Sequence, residues 1–157
     1  MSAAPATLWT IGYEGTTVPA FLATLKDAGI ELLVDVRAVA SSRRPGFAKT
    51  ALTANVATIG VGYVHLRGLG TPADGRAAAR KGRHEEMHRI FGVHMQTLAA
   101  QEDLEELLEL IGSGKRVCIL CFEAEPAECH RALVAKAVNA RRPVIVVDLM
   151  PQRAQKD

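Results

Sequence analysis

Aromatic residues are scarce: the 157-residue chain has one Trp, two Tyr and four Phe. Its core must be built from Leu, Val, Ala and Ile, and there is little with which to stack the bases of a single strand. Cysteines number three, which is odd and too few for a disulfide scaffold. No stretch approaches the roughly 20 apolar residues of a membrane span. Met1-Ser-Ala-Ala-Pro-Ala-Thr has no basic leader region, so a cytoplasmic protein with no membrane partner is expected. Neither a Walker A sequence nor GxGxxG is present, which disfavours an ordinary NTPase or dinucleotide dehydrogenase.

What is present suits one compact domain. Hydrophobic residues make up 48% and charged residues 23%, enough for a real core. A single domain over 1–157 is expected, with its core at about 8–149 and a frayed tail at 151–157. Net charge is only +2 but unevenly spread. Between Arg37 and His94 stand ten Lys or Arg against three Asp or Glu. A basic middle on a near-neutral chain points to an anionic partner: a phosphate-bearing small molecule, a nucleotide or nucleic acid.

Hydrophobic patterning alternates strand and helix. Strands are expected at Leu8–Gly12, Glu31–Arg37, Gly62–Leu66, Arg116–Cys121 and Pro143–Leu149. Helices are expected from Thr16 or Thr17 to about Ala28, over about Lys49–Thr58, over Glu85–Ile111 with a break near Ala100, and over about Pro126–Ala140. Residues 67–82 show no hydrophobic period and read as a long mobile loop. The near-continuous apolar runs of the second and fourth strands suit parallel strands buried on both faces. The fold class is therefore α/β: a mainly parallel, Rossmann-like sheet of about five strands with helices on both faces.

Ligands of such sheets bind beyond the carboxyl ends of the strands. Those ends carry Tyr13 and Glu14, then Asp35 and Arg37, then His65, then Cys121 and Glu123. Any one has an ordinary structural explanation, and Asp35-x-Arg37 alone reads first as a local salt bridge. Their convergence is the signal. After the fourth strand come Cys129, His130 and Arg131 at the expected start of a helix. Backbone N–H groups there favour anions, and Arg131 adds a fork suited to phosphate. Ser41-Ser-Arg43-Arg44-Pro-Gly-Phe47 follows the second strand and can clamp a phosphate. Cys121, Glu123, Cys129 and His130 are ligand types found around zinc. Their spacing matches no common zinc module and there is no second CxxC pair. No metal is assigned, and no cofactor is required.

Thr10-Ile-Gly-Tyr13-Glu14-Gly15, Val34-Asp35-Val-Arg37 with Ser42-Arg-Arg-Pro-Gly-Phe47, Tyr63-Val-His65-Leu66, and Leu120-Cys121-Phe-Glu123…Pro126…Cys129-His130-Arg131 together resemble the domain of unknown function family DUF488. The resemblance runs from about Leu8 to Leu149. It implies a compact Rossmann-like α/β fold and brings no established reaction. The common family form has Ala between the Cys and Glu of the fourth strand. Phe122 stands there in this chain, a departure that narrows the neighbouring pocket.

The leading functional expectation is an enzyme acting on a phosphate-bearing substrate, hydrolysing a phosphodiester or glycosidic bond. Arg37, Arg43, Arg44 and Arg131 hold the anion, with Tyr13, Cys121 and Cys129 completing the binding surface. Glu123, Asp35 or Glu14 serves as general acid or base, and His65 or His130 moves a proton. Two alternatives stand beside it. One is a non-catalytic nucleic-acid-binding module; the other is a thiol-active or metal-binding protein centred on Cys121 and Cys129. Anion binding ranks above cysteine chemistry.

Overall fold

A computed structural model describes residues 4–126 and 129–154. Five strands, β1 (Ala6–Gly12), β2 (Leu32–Asp35), β3 (Gly62–His65), β4 (Val117–Cys121) and β5 (Val144–Leu149), form one sheet in the order β3-β2-β4-β1-β5. Every pairing is parallel, with Trp9 beside Cys118, Val34 beside Ile119 and Asp35 beside His65. The connecting helices are α1 (Val18–Asp27), α2 (Lys49–Ala57), α3 (Ala73–Arg80), α4 (His84–His94), α5 (Leu98–Gly112) and α6 (Arg131–Arg141). The α/β class with a parallel sheet and helices around it is as the patterning requires. Among the described residues no helix is long and apolar enough to cross a membrane.

Strand alternation divides the core into two faces. Trp9, Ile11, Leu33, Cys118 and Leu120 face Phe21 and Leu25 of α1 and Leu52 and Val56 of α2. Leu8, Leu32, Val34, Val117, Ile119 and Cys121 face the layer of α3 to α6, where Met87, Phe91, Leu104, Leu107, Val134 and Val138 are buried. Helix starts are set by side-chain caps. Thr17 accepts from the Ala20 N–H at 3.2 Å before α1, and Thr97 accepts from the Ala100 N–H at 3.3 Å before α5.

The parity of β1 and β4 positions the site. Thr10 and Cys121 point to the α6 face, among Leu8, Val117 and Ile119, with Asp148 of β5 beside Thr10. The connections leave the sheet on opposite sides. β1 and β2 lead into α1 and α2 on one face, whereas β4, lying between them, leads into α6 on the other. Such a divergence opens a crevice at the carboxyl ends of the strands.

Three expectations need correction. Residues 67–82 are not a long loop: a 3-10 turn at Arg67–Leu69 is followed by α3. That helix buries only Gly75 and Ala78, too little apolar surface to give a period. The last helix begins at Arg131 rather than near Pro126, because residues 122–126 cross the end of β1. The segment after Pro151 is tied down through Ala154. Thr16 Oγ1 donates to the Gln152 carbonyl at 2.6 Å, and the Ala154 N–H donates to the Gly15 carbonyl at 2.6 Å. Residues 155–157 lie outside the described residues.

Candidate functional site

Beyond the carboxyl end of β4 lies a cavity of about 450 Å³. Tyr13, Arg37, Cys121, Phe122, Glu123 and His130 line it from the strand ends. Arg76, Arg80, His84 and Met87 line it from α3 and α4. The volume falls within the range of small-molecule pockets, roughly 300–1,000 Å³.

The wall under β2 is a buried polar network. Asp35 is fully buried. It receives the Arg37 guanidinium through Nε at 2.9 Å and Nη2 at 2.7 Å, the Arg37 backbone N–H at 3.0 Å and the Tyr63 hydroxyl. Arg37 Nη1 donates in addition to Tyr13 Oη at 3.0 Å and the Phe47 carbonyl at 2.9 Å. Burial alone disfavours the Arg37 cation, but the Asp35 hydrogen bond and charge, helped by Tyr13, raise its pKa on balance. Burial and the bond to Asp35 hold the Tyr63 phenol above its ordinary range. The Tyr13 ring stacks on Phe47 at 4.7 Å and meets the edge of Phe122 at 5.3 Å. Phe122, 41% exposed, stands at the mouth of the cavity, at the position where this chain departs from the common family form.

The β4–α6 segment is held by Arg131, whose side chain is fully buried. Its guanidinium donates to Thr10 Oγ1 at 3.2 Å, Cys121 Sγ at 3.2 Å, the Ala124 carbonyl at 3.0 Å and the Glu123 carbonyl. Thr10 passes the contact on to the Asp148 carboxylate. Burial lowers the Arg131 pKa, and Asp148 and Glu123 oppose that. Glu14 braces the same segment: its Oε1 accepts from the Ala124 N–H at 3.0 Å and its N–H donates to the Phe122 carbonyl at 2.8 Å. Gly12 is required beneath the crossing, since an added Cβ would run into the Glu123 carbonyl.

Cys121 and His130 line the cavity and converge with the buried Cys129 just beneath it, their ligand atoms all within 4.8 Å of one another. The two sulfurs lie within bonding distance, with their Cα atoms 7.1 Å apart. The Arg131 backbone N–H points at Cys129 Sγ, 3.4 Å away. His130 Nε2 is 2.7 Å from the Val36 carbonyl and Nδ1 is 3.8 Å from Cys129 Sγ. A carbonyl only accepts, so Nε2 carries the hydrogen and Nδ1 presents its lone pair to the sulfurs. Burial pushes the His130 pKa down to about 4, with Arg131 adding to the effect against the Val36 hydrogen bond. The ring is therefore neutral at pH 7. Cys118 lies on the opposite face of the sheet, where burial pushes its thiol up.

Of the residues singled out from sequence, Tyr13, Arg37, Cys121, Glu123 and His130 share the cavity, and Cys129 is buried behind Cys121 and His130 without lining it. Asp35 stands behind Arg37, while Glu14 and Arg131 hold the β4–α6 segment. Three others are not among the lining residues. His65 Nε2 meets the Arg37 carbonyl at 2.7 Å, Arg43 is exposed, and Arg44 Nη2 donates to the Thr16 carbonyl. Arg76, Arg80 and His84 are the lining residues that motif reading missed. The charge excess over residues 37–94 was the signal that could have found them. Arg76 Nη1 donates to the Thr71 carbonyl at 2.8 Å, and the buried His84 Nδ1 has no hydrogen-bond partner among the described residues.

Comparison with curated proteins and with solved structures yields no match. The family model described as "Domain of unknown function DUF488" matches residues 17–138, from the start of α1 into the last turns of α6. A match over most of the chain, on a fold with the expected parallel sheet, places this protein in the DUF488 family.

Proposed function

We propose that the chain is an enzyme for a small phosphate-bearing substrate, bound in the β4 crevice and hydrolysed there. The supporting observation is the arrangement across the cavity: Arg76, Arg80 and the unpartnered Nδ1 of His84 on one wall, Glu123 and His130 on the other. The anion-holding role passes from Arg37 and Arg131 to Arg76 and Arg80, because the first two spend their guanidinium donors on internal acceptors. Glu123 acts as general base toward water, and the exposed Phe122 ring stands at the rim. A pocket of about 450 Å³ suits a small molecule better than a nucleic-acid strand, which needs a long basic groove and several stacking platforms.

Calorimetric titration with inorganic phosphate and a nucleoside monophosphate tests the binding. Replacing Arg76 and Arg80 together by Ala is expected to weaken affinity by about tenfold or more, some 1.4 kcal/mol. Glu123→Gln is expected to keep that affinity and lower turnover of phosphomonoesters or phosphodiesters by about a hundredfold or more. Unchanged affinity in the double Arg variant would sink the assignment.

A further inference from the structure

We infer that Cys121, Cys129 and His130 form a three-ligand site for a thiophilic divalent cation, Zn²⁺ fitting best, with the remaining coordination position open to the cavity. Four observations carry the inference. Cys121 ends β4 and the adjacent pair Cys129 and His130 lies just before α6, yet the three ligand atoms gather within 4.8 Å. Zinc bonds of about 2.3 Å to sulfur and about 2.0 Å to nitrogen place two tetrahedral ligands about 3.5 Å apart, and Cys129 Sγ lies 3.8 Å from His130 Nδ1. The His130 ring is oriented as metal-ligating histidines are: Nε2–H is anchored on the Val36 carbonyl and the Nδ1 lone pair faces the sulfurs. Arg131 donates to both sulfurs, through Nη1 to Cys121 and through its backbone N–H to Cys129, which favours thiolates over thiols.

The competing state is a Cys121–Cys129 disulfide. The Cα separation of 7.1 Å lies beyond the roughly 4.4–6.8 Å that disulfides span. Two thiolates held by one ion tolerate that wider spacing, and the sulfurs, here within bonding distance, would stand about 3.7 Å apart around it. Loading is an exchange without oxidation: the ion takes two sulfurs and one imidazole nitrogen, and two thiol protons go to solvent. Three protein ligands and one open position are the pattern of catalytic zinc, where the ion polarises a bound water or substrate oxygen. Cys121 and His130 line the cavity, and the Glu123 carboxylate stands 3.7 Å from Cys121 Sγ. The binding of the ion rests on its own ligand geometry; its use on a phosphate-bearing substrate rests on the function proposed above.

The test uses the full chain without a polyhistidine tag, purified in a thiol reductant and titrated with Zn²⁺ and with Co²⁺ alone. One ion per chain is expected, and the Co²⁺ form should show thiolate-to-cobalt charge transfer with tetrahedral ligand-field bands. Cys121→Ser, Cys129→Ser and His130→Gln should each lower affinity by more than about a hundredfold, beyond the usual cost of losing an outer partner. Cys118→Ser should leave it unchanged. The wild-type cobalt spectrum decides the matter even if a variant fails to fold. Reduced wild-type protein that takes up neither ion, or a Cys121–Cys129 disulfide that survives the reductant, would overturn the inference. Metal uptake with no affinity for phosphate would remove the proposed substrate and leave the ion site standing.

Discussion

At the scale of single residues, buried polar groups are shared between holding the fold and doing chemistry. Asp35 is the clearest holding residue, with every contact internal to the network of Arg37 and Tyr63. Tyr63→Phe removes one donor to a fully buried carboxylate and keeps the ring. A loss of about 1–3 kcal/mol in urea unfolding is expected, since hydrogen bonds to charged groups are worth that much. No change in midpoint would mean that Arg37 alone satisfies Asp35. The sequence marks Asp35, Arg37 and Arg131 as chemistry-bearing but cannot assign their tasks. Arg131 has the fork that phosphate needs, yet the Glu123 and Ala124 carbonyls occupy it. Backbone carbonyls are present at every position and leave no mark on a sequence, so competition from them is invisible until the chain is folded.

At the scale of elements, legibility follows burial. β2 and β4 are buried along their whole length, and both read directly as apolar runs. The break between α4 and α5 was expected near Ala100 and falls at residues 95–97, just ahead of it. Thr97, which caps α5, sits at that junction. Thr97→Ala should cost about 1 kcal/mol in thermal or urea unfolding, the usual effect of losing a side-chain N-cap. A cost near zero would show that packing of Leu104, Leu107 and Ile111 fixes the helix start unaided. α3 is the counterexample. Its Gly75 lies inside the helix and its buried surface is two small residues, so neither propensity nor periodicity reveals it. That helix supplies Arg76 and Arg80, which is why part of the site escaped motif reading while its charge was still visible.

At the scale of the molecule, the two faces of the sheet are unequal. α1 and α2 cover one side, and α3 to α6 cover the other and carry the cationic wall of the cavity. The interior position of β1, between β4 and β5, has a practical consequence for anyone excising this domain. The stretch that identifies the family, 17–138, omits both β1 and β5. A protein cut to those bounds loses Leu8 from one core and Trp9 and Ile11 from the other. It also loses Thr10 and the Gly12 crossing that hold the floor of the crevice. Its most hydrophobic strand, β4, becomes an open edge able to recruit the same strand of another molecule. Such a fragment should collect in the insoluble fraction on expression to a greater extent than the 157-residue chain expressed beside it. A soluble, folded 17–138 fragment by circular dichroism would show that three strands suffice. The segment by which the family is recognised and the complete sheet are not the same stretch of chain, and here they differ by two strands.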